Sequence, residues 1–479
     1  MHVEELVPPP DTVRSAELIG GLPYRLFLDS ASRGGRLGRY SFLTADPVAV
    51  VRSKGTETGD ALEAVRELIR PHATEALEGL PPFQGGAAGY LAYEWGRRLE
   101  PRLPAPRYDD LGLPDVVLGV YDWVLAWDHG QSRAWLISTG LPETLPDARS
   151  RRAKERAARV RLYLAGEAGS ALAEGAPHAG SGIRPAPSYR VEGGWWDPRL
   201  GLRSSFTHAA YRDAVAQVRE YILAGDIFQA NLSQRFEAPL EEPPWALYRR
   251  LRTRNAAPFA AYLDAGDFTL LSASPERFLR LEVSGHVETR PIKGTRPRGV
   301  GPEHDAALGL ALVESEKDRA ENLMIVDLMR NDLSRVCRPG TVRVEELFAL
   351  ERYASVHHLV STVVGDLAPG TDAGDLLRAA FPGGSITGAP KIRAMEIITE
   401  LEPSARGVYC GAIGYWSVTG ALDMNIAIRT AVARGGRVSF NAGGGIVADS
   451  NPEQEYRETL DKARGIIDAL AVPASCLRS

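Results

Sequence analysis

The sequence predicts an α+β fold in which large antiparallel β-sheets pack as a sandwich with helices outside. Two observations carry this. From Tyr24 to about Thr139 the chain reads as strands broken by turns: DVVLGVYDWVLAW, then Asp128-His129-Gly130, then RAWLIST. From Ser205 to about Leu470 helices and strands alternate, without the repeating strand, Gly-rich turn and helix of a doubly wound sheet.

The elements between these regions set the expected boundaries. PDARSRRAKERAARVRLYL, from Pro146 to Leu164, is helical in composition, charged and poor in apolar anchors, so it reads as a surface helix. From Ala165 to Gly201 the chain is dominated by Gly, Ala, Pro and Ser, which bury too little surface to order themselves. The reading is a β-rich N-terminal domain (1–165), a linker (166–204) and a main domain (205–470). The main domain opens on a helix after Thr207, with Tyr211, Val215, Val218 and Ile222 on one face and Gly225 at its end.

Composition excludes several classes. With 479 residues, 44% of them hydrophobic, the chain can bury one large core or two ordinary ones. Lys and Arg total 56 against 61 for Asp and Glu, with no dense basic run, so nucleic acid is not an expected partner. Cys337, Cys410 and Cys476 lack zinc-site spacings and are odd in number, which points to a reducing cytoplasm. MHVEELVPPP has no signal-peptide pattern, and VVLGVYDWVLAW, interrupted by Asp122, is too short to span a bilayer, so no membrane role is expected.

The chemistry concentrates in the main domain. In ESEKDRAENLMIVDLMRNDL, from Glu314 to Leu333, a charged half becomes an apolar half within one helical pattern, and Asp318 and Glu321 are three apart on one face. Acids at a helix start also suit the dipole without any ligand. A second helix, SNPEQEYRETLDKARGII, reads as opened by a capping box of Ser450 and Glu453 with Pro452 in the first turn. On it Glu455, Glu458 and Lys462 border the apolar stripe of Tyr456, Leu460, Ala463 and Ile467. Two helices each offering a carboxylate pair suit Mg2+, which prefers hard oxygens and completes its shell with water and substrate.

FPGGSITGAPK, from Phe381 to Lys391, has the glycine spacing of a phosphate-binding loop at Gly383 and Gly388. Ala389 and Pro390 then stand where that loop needs Lys and Ser or Thr, so nucleotide binding is rejected. Pro390 suits the first turn of the helix that follows, whose free N–H groups would favour an anion near Ser385 and Thr387. Gly443, Gly444 and Gly445 allow a tight turn or close backbone approach to a ligand. In TRPIKGTRPRG, Lys293 is a nucleophile if its surroundings remove its proton. Glu276, at a strand end in SASPERF, could protonate a leaving hydroxyl, and His358 in SVHHLVSTVV is another candidate acid or base.

Together these segments resemble the chorismate-utilising enzymes: anthranilate, aminodeoxychorismate, isochorismate and salicylate synthases. GDIFQANLSQRF, SPERF, RPIKGTRPRG, KDRAENLMIVDLMRNDL, HHLVSTV, FPGGSITGAPK, GAIGYWS, AIRTA, AGGGIVADS and EYRETLDKA follow one another in family order from Phe206 to about Leu470. FLDSA, GRYSF and FQGGAAGYLAYEWGRRLE extend the likeness more loosely into the N-terminal part. The resemblance implies that family's fold, with Mg2+ on Glu321 and Glu458 and its waters held by Asp318 and Glu455. It implies a chorismate site formed by Gly294, Thr295, Ser385, Tyr415, Arg429, Gly443, Gly444, Gly445 and Lys462, Arg429 offering a fork to a carboxylate.

PIKGT resembles the aminodeoxychorismate branch, where anthranilate synthases usually read PIAGT; QANLSQ and NAAPFAAYL point the same way. That branch implies Lys293 adding to C2 of chorismate, Glu276 helping the C4 hydroxyl leave, and ammonia entering at C4. Asp29 and Ala260 stand where tryptophan-regulated relatives carry glutamate and methionine, which argues against feedback by tryptophan. None of the three cysteines lies in a nucleophile elbow, so glutamine-derived ammonia implies a separate glutamine amidotransferase subunit.

Overall fold

The strand Trp123–Asp128 is buried on both faces. Trp123, Leu125 and Trp127 enter a core that also holds Ala157 and Val160 of the helix Pro146–Leu164. Val124 and Ala126, on the opposite face as a two-residue period demands, enter a core shared with Tyr90, Tyr121 and Ile413. The first core lies between a sheet and its covering helices; the second lies between two sheets. The computed structural model describes residues 1–33, 37–55, 59–167, 186–191, 194–353 and 356–471. Within them the strands form a 13-stranded and a 10-stranded sheet, stacked on the second core with helices outside, the architecture expected.

The larger sheet runs from His2–Glu5 through the N-terminal hairpins to Leu26–Asp29, then Phe259–Asp264, Thr269–Ser274, Thr430–Arg434, Arg437–Ile446 and Gln229–Pro239. The boundaries 1–165 and 205–470 are therefore positions along the chain, not separate bodies. Phe27 pairs with Tyr262 in the larger sheet, and Gly89 with Gly414 in the smaller. Of the expected linker, residues 168–185 and 192–193 lie outside the described residues. Tyr189–Arg190 and Arg203–Ser204 add two short antiparallel strands at the end of the larger sheet.

The helix His208–Leu223 matches its expected face: Tyr211, Val215 and Val218 are buried and Thr207 caps its start, though Ile222 is only half-buried. No helix among the described residues is long and apolar enough to cross a membrane.

Four strands and two helices build the site: β1 (Gln229–Pro239), β2 (Ile292–Pro297), β3 (Val356–Asp366), β4 (Arg437–Ile446), α1 (Glu316–Ser334) and α2 (Pro452–Leu470). β1 pairs with β4 in the larger sheet, and β2 with β3 in the smaller. Both helix starts differ from expectation. The run from Glu314 is two helices, since Glu314 ends one and Ser315, extended, caps α1 by accepting from Asp318 N. α2 is capped by Asn451, which accepts from Glu453 N and Gln454 N, because Pro452 takes the first helical position. Ser450 is thereby released to donate to Glu455 Oε1 at 2.6 Å.

Candidate active site

A cavity of about 780 Å³ opens between the two sheets, bounded by α1 and α2. Its deep end holds Lys293, on β2, and Glu276, at the end of Thr269–Ser274. Glu276 is 4% exposed, and burial raises its pKa to about 7 even though Ser385 Oγ donates to Oε1 at 2.7 Å. Lys293 is half-buried as a residue because it borders the cavity, yet dense protein surrounds its amine. That desolvation lowers its pKa; nearby Glu321 opposes the shift and Lys462 adds to it. A carboxyl whose proton affinity is raised and an amine whose proton affinity is lowered thus share one end of the cavity.

His358, on β3, is buried, and burial followed by the charge of Arg429 lowers its pKa to about 3. Its Nδ1 lies 2.9 Å from Thr295 Oγ1. The ring is therefore neutral at ordinary pH, which leaves the candidate acid or base His358 in its unprotonated form, and it orients Thr295 across the β2–β3 pair. Arg429, with its backbone at φ 50, borders the cavity and hydrogen-bonds Asn255 Oδ1 at 3.1 Å. Desolvation lowers its pKa, and no carboxylate pairs with it among the described residues. An unpaired guanidinium at such a surface calls for an anionic ligand.

The mouth carries the acids. Asp318 meets Arg296 at 2.8 Å, Glu458 meets Lys462 at 2.6 Å, and Glu455 is buried on Ser450. Lys462 also donates to Gly443 O at 2.8 Å, tying α2 to β4. Burial raises the pKa of Glu321 and of Glu455, whereas the charge of Lys462 lowers that of Glu458. A Cβ on Gly444 would stand 3.2 Å from Glu455 Oε2 and 3.3 Å from Glu458 Oε1, tight enough to press on both carboxylates.

Residues 24–468 match the chorismate binding enzyme family. The chain belongs to the chorismate-binding enzymes. It is 43% identical to aminodeoxychorismate synthase component 1 of Salmonella typhimurium, over 94% of each chain. It is 42% identical to anthranilate synthase component 1 of Thermus thermophilus, over 94% of this chain and 92% of that one. Among solved structures, anthranilate synthase component I of Streptococcus pneumoniae TIGR4 superposes with a TM-score of 0.73 at 31% identity, covering 91% of this chain and 93% of that chain.

In this member of the chorismate-binding enzymes the cavity gathers Lys293, Glu276, His358, Gly294, Thr295, Ser385, Arg429, Gly443, Gly445, Lys462, Asp318, Glu321, Glu455 and Glu458. Gly444 lies against Glu455 and Glu458. Tyr415 is the exception. Within Ala412–Ser417 it shares a face with Ile413, in the core between the sheets, and its ring stacks on Phe83 with centroids 4.7 Å apart. It borders a second cavity of about 70 Å³ beside Asp29 and Ser30. The tyrosine that borders the larger cavity is Tyr409. Strand parity carried a usable signal: Ile413 and Tyr415 must face together, and isoleucine belongs in a core. Thr387 also turns away, donating to Gly383 O at 3.0 Å, so of the two hydroxyls only that of Ser385 borders the cavity. The sequence reading passed over Asn231, Arg296, Lys317, Asn441 and Arg464, which border the cavity but stand in no distinctive spacing.

Among the described residues no group of three or more His, Cys, Asp or Glu side chains converges as a complete metal cage. The donor set nonetheless fits Mg2+, which takes few protein ligands and keeps waters. It consists of hard oxygens, and the side-chain-free Gly444 lies against Glu455 and Glu458.

Proposed function

We propose that this chain is the chorismate-converting subunit of an aminodeoxychorismate synthase, making 4-amino-4-deoxychorismate from chorismate and ammonia for p-aminobenzoate and folate synthesis. The observation that carries this reading is Lys293, an amine whose pKa is lowered by burial at the deep end of a cavity whose flank bears the unpaired Arg429. Overall similarity does not choose the product, since relatives of both names stand at 43% and 42% identity. Lys293 does.

Arg429 receives the enolpyruvyl carboxylate, with Tyr409 and Gly443 beside it. Glu321 and Glu458 would hold Mg2+, with Asp318 and Glu455 on its waters. When bound, Mg2+ supplies positive charge to the ring carboxylate. Lys293 Nζ forms a bond to C2 and the ring double bonds shift toward C4. The C4–O bond breaks as Glu276 gives its proton to the departing hydroxyl, which leaves as water. The Glu276 carboxylate then takes the proton shed by the new lysine ammonium. Ammonia bonds to C4, the double bonds return, and the C2–N bond breaks; the proton shed at C4 goes to the departing Lys293 nitrogen.

The designation component 1 among the relatives supports a second subunit, and we assign ammonia supply to a separate glutamine amidotransferase. Cys337 and Cys410, buried and free, suit a reducing cytoplasm. The test is product mass after incubation with chorismate, Mg2+ and ammonium. A product retaining the enolpyruvyl group is expected, with no turnover on glutamine alone; anthranilate with released pyruvate would overturn the reading.

A further inference from the structure

A buried ion pair behind the cavity takes no part in the chemistry above. Lys391 opens the helix Lys391–Leu401, directly after Pro390, and its side chain is only 11% exposed. It meets Asp332 of α1, itself buried, at 2.6 Å, and also donates to Ala380 O at 3.0 Å. Ala380 ends the helix Ala373–Ala380. One amine thus joins the residue before the segment 381–390 to the residue after it, and fixes both to α1. Neither Lys391 nor Asp332 borders the cavity.

The clamped segment carries chemistry at its middle, where Ser385 donates to Glu276 Oε1 at 2.7 Å. A Cβ on the neighbouring Gly384 would stand 2.6 Å from Leu328 Cδ2 and 2.8 Å from Met329 Cε, both on α1, so the segment lies directly against that helix. About three turns back along α1 from Asp332 stand Glu321 and then Asp318, at the cavity mouth. Burial opposes the charges of Lys391 and Asp332, and each charge sustains the other. Apolar residues of similar volume often serve stability as well as a buried ion pair does, so stability alone does not account for this one. What the pair adds is a short, directed contact.

We propose that Lys391 is a positioning residue for the reaction: by closing the segment 381–390 and clamping it to α1 through Asp332, it sets how Ser385 and Glu276 stand toward the acids of α1. Resting on the function proposed above, this adds a residue that acts on the proton transfer from Glu276 through its neighbours. The groups that face Glu276 are the Ser385 hydroxyl, Ile292 N at 3.5 Å and the charges of Lys293 and Lys462. Ile292 and Lys293 belong to β2 and Lys462 to α2, so only Ser385 moves with the clamped segment. Its hydrogen bond favours the carboxylate, and withdrawing it leaves Glu276 holding its proton to higher pH. A displacement of about 1 Å at such a group can cost ~10²-fold in rate.

The experiment uses the full chain with Mg2+ and chorismate at fixed free ammonia. Lys391→Met/Asp332→Leu removes both charges and keeps apolar volume, Asp332→Asn keeps the shape and an oxygen for Lys391, and Ser385→Ala removes the hydroxyl itself. In the double variant kcat should fall ~10²-fold with KM for chorismate within about twofold of wild type. The falling limb of its kcat/KM profile should move to higher pH, by as much as in Ser385→Ala. Asp332→Asn should keep kcat within about threefold and the limb at its wild-type pH, because the contact survives. In metal-free protein, hydrogen exchange should quicken across 381–390 in the double variant and stay unchanged along β4. Where the double variant does not fold, Asp332→Ala takes its place with the same outcomes. A wild-type kcat, a limb that stays in place, unchanged exchange across 381–390, or a loss in Asp332→Asn equal to that of the double variant overturns the role of Lys391. Anthranilate as the product, with the limb still displaced in the double variant, overturns the proposed function and leaves the positioning role standing.

Discussion

Lys293 and Lys462 border one cavity, and the protein treats them oppositely. Lys462, 43% exposed, keeps an ion pair with Glu458 and a carbonyl of β4. Lys293 has dense protein about its amine and no ion pair within 4 Å among the described residues, so desolvation lowers its pKa. Among the carboxylates, burial pushes Glu276 up to about 7 and raises Glu321 and Glu455 as well, while the charge of Lys462 pulls Glu458 down. One residue type thus takes opposite proton affinities according to whether burial or a close ion pair dominates its surroundings.

The largest test of this contrast is Lys293→Ala, which should lower turnover by ~10³-fold or more, about 4 kcal/mol, with chorismate binding retained. Lys293→Arg should not rescue it, since arginine stays charged. Substantial activity in Lys293→Arg, with no ring adduct in the mass spectrum, would instead favour direct addition of ammonia to the ring without a lysine adduct.

Glu276→Gln should cost ~10²–10⁴-fold, the usual range for a general acid. The sign with pH follows from the raised pKa. Glu276 is protonated, and can donate, below about 7, so kcat/KM for chorismate at fixed free ammonia should fall as pH rises through that value. Neutral Lys293, with its lowered pKa, supplies the rising limb. In the residual activity of Glu276→Gln the falling limb should disappear; its persistence would assign the acid elsewhere.

At the mouth, Glu321→Gln and Glu458→Gln should each lower turnover ~10²-fold and raise the Mg2+ concentration required. Thermal melts without metal should separate them. Burial and the nearby Asp318 disfavour the charged form of Glu321, so Glu321→Gln should melt no lower than wild type. Glu458→Gln removes the pair with Lys462 and should melt slightly lower, an exposed pair being worth about 0–1 kcal/mol. Equal melts would show that the two acids share one environment.

The smallest effect is expected where the sequence reading chose the wrong tyrosine. Tyr415→Phe should leave KM for chorismate near wild type, whereas Tyr409→Phe should raise it up to about tenfold, the worth of one hydrogen bond. The reverse order in steady-state kinetics would put the ring site in the smaller cavity.

Local chemistry made much of this legible in the sequence. Asp318 with Glu321, and Glu455 with Glu458, share helix faces because spacing alone puts them there, and Lys293 stands out by its setting between Ile292 and Gly294. What depends on a distant partner was not legible. Asn451 displaces Ser450 as the cap, and Tyr415 enters the core between the sheets through its neighbours Phe42 and Phe83.

The sequence by itself determined the elements, the family and the acidic, basic and glycine-rich segments, because these depend on residues within a few positions of one another. Only the tertiary structure decided that residues 1–165 and 205–470 share both sheets, and which lysine and which glutamate lose contact with water. Strand register and burial arise from segments hundreds of positions apart, and desolvation sets a proton affinity only after those segments have met.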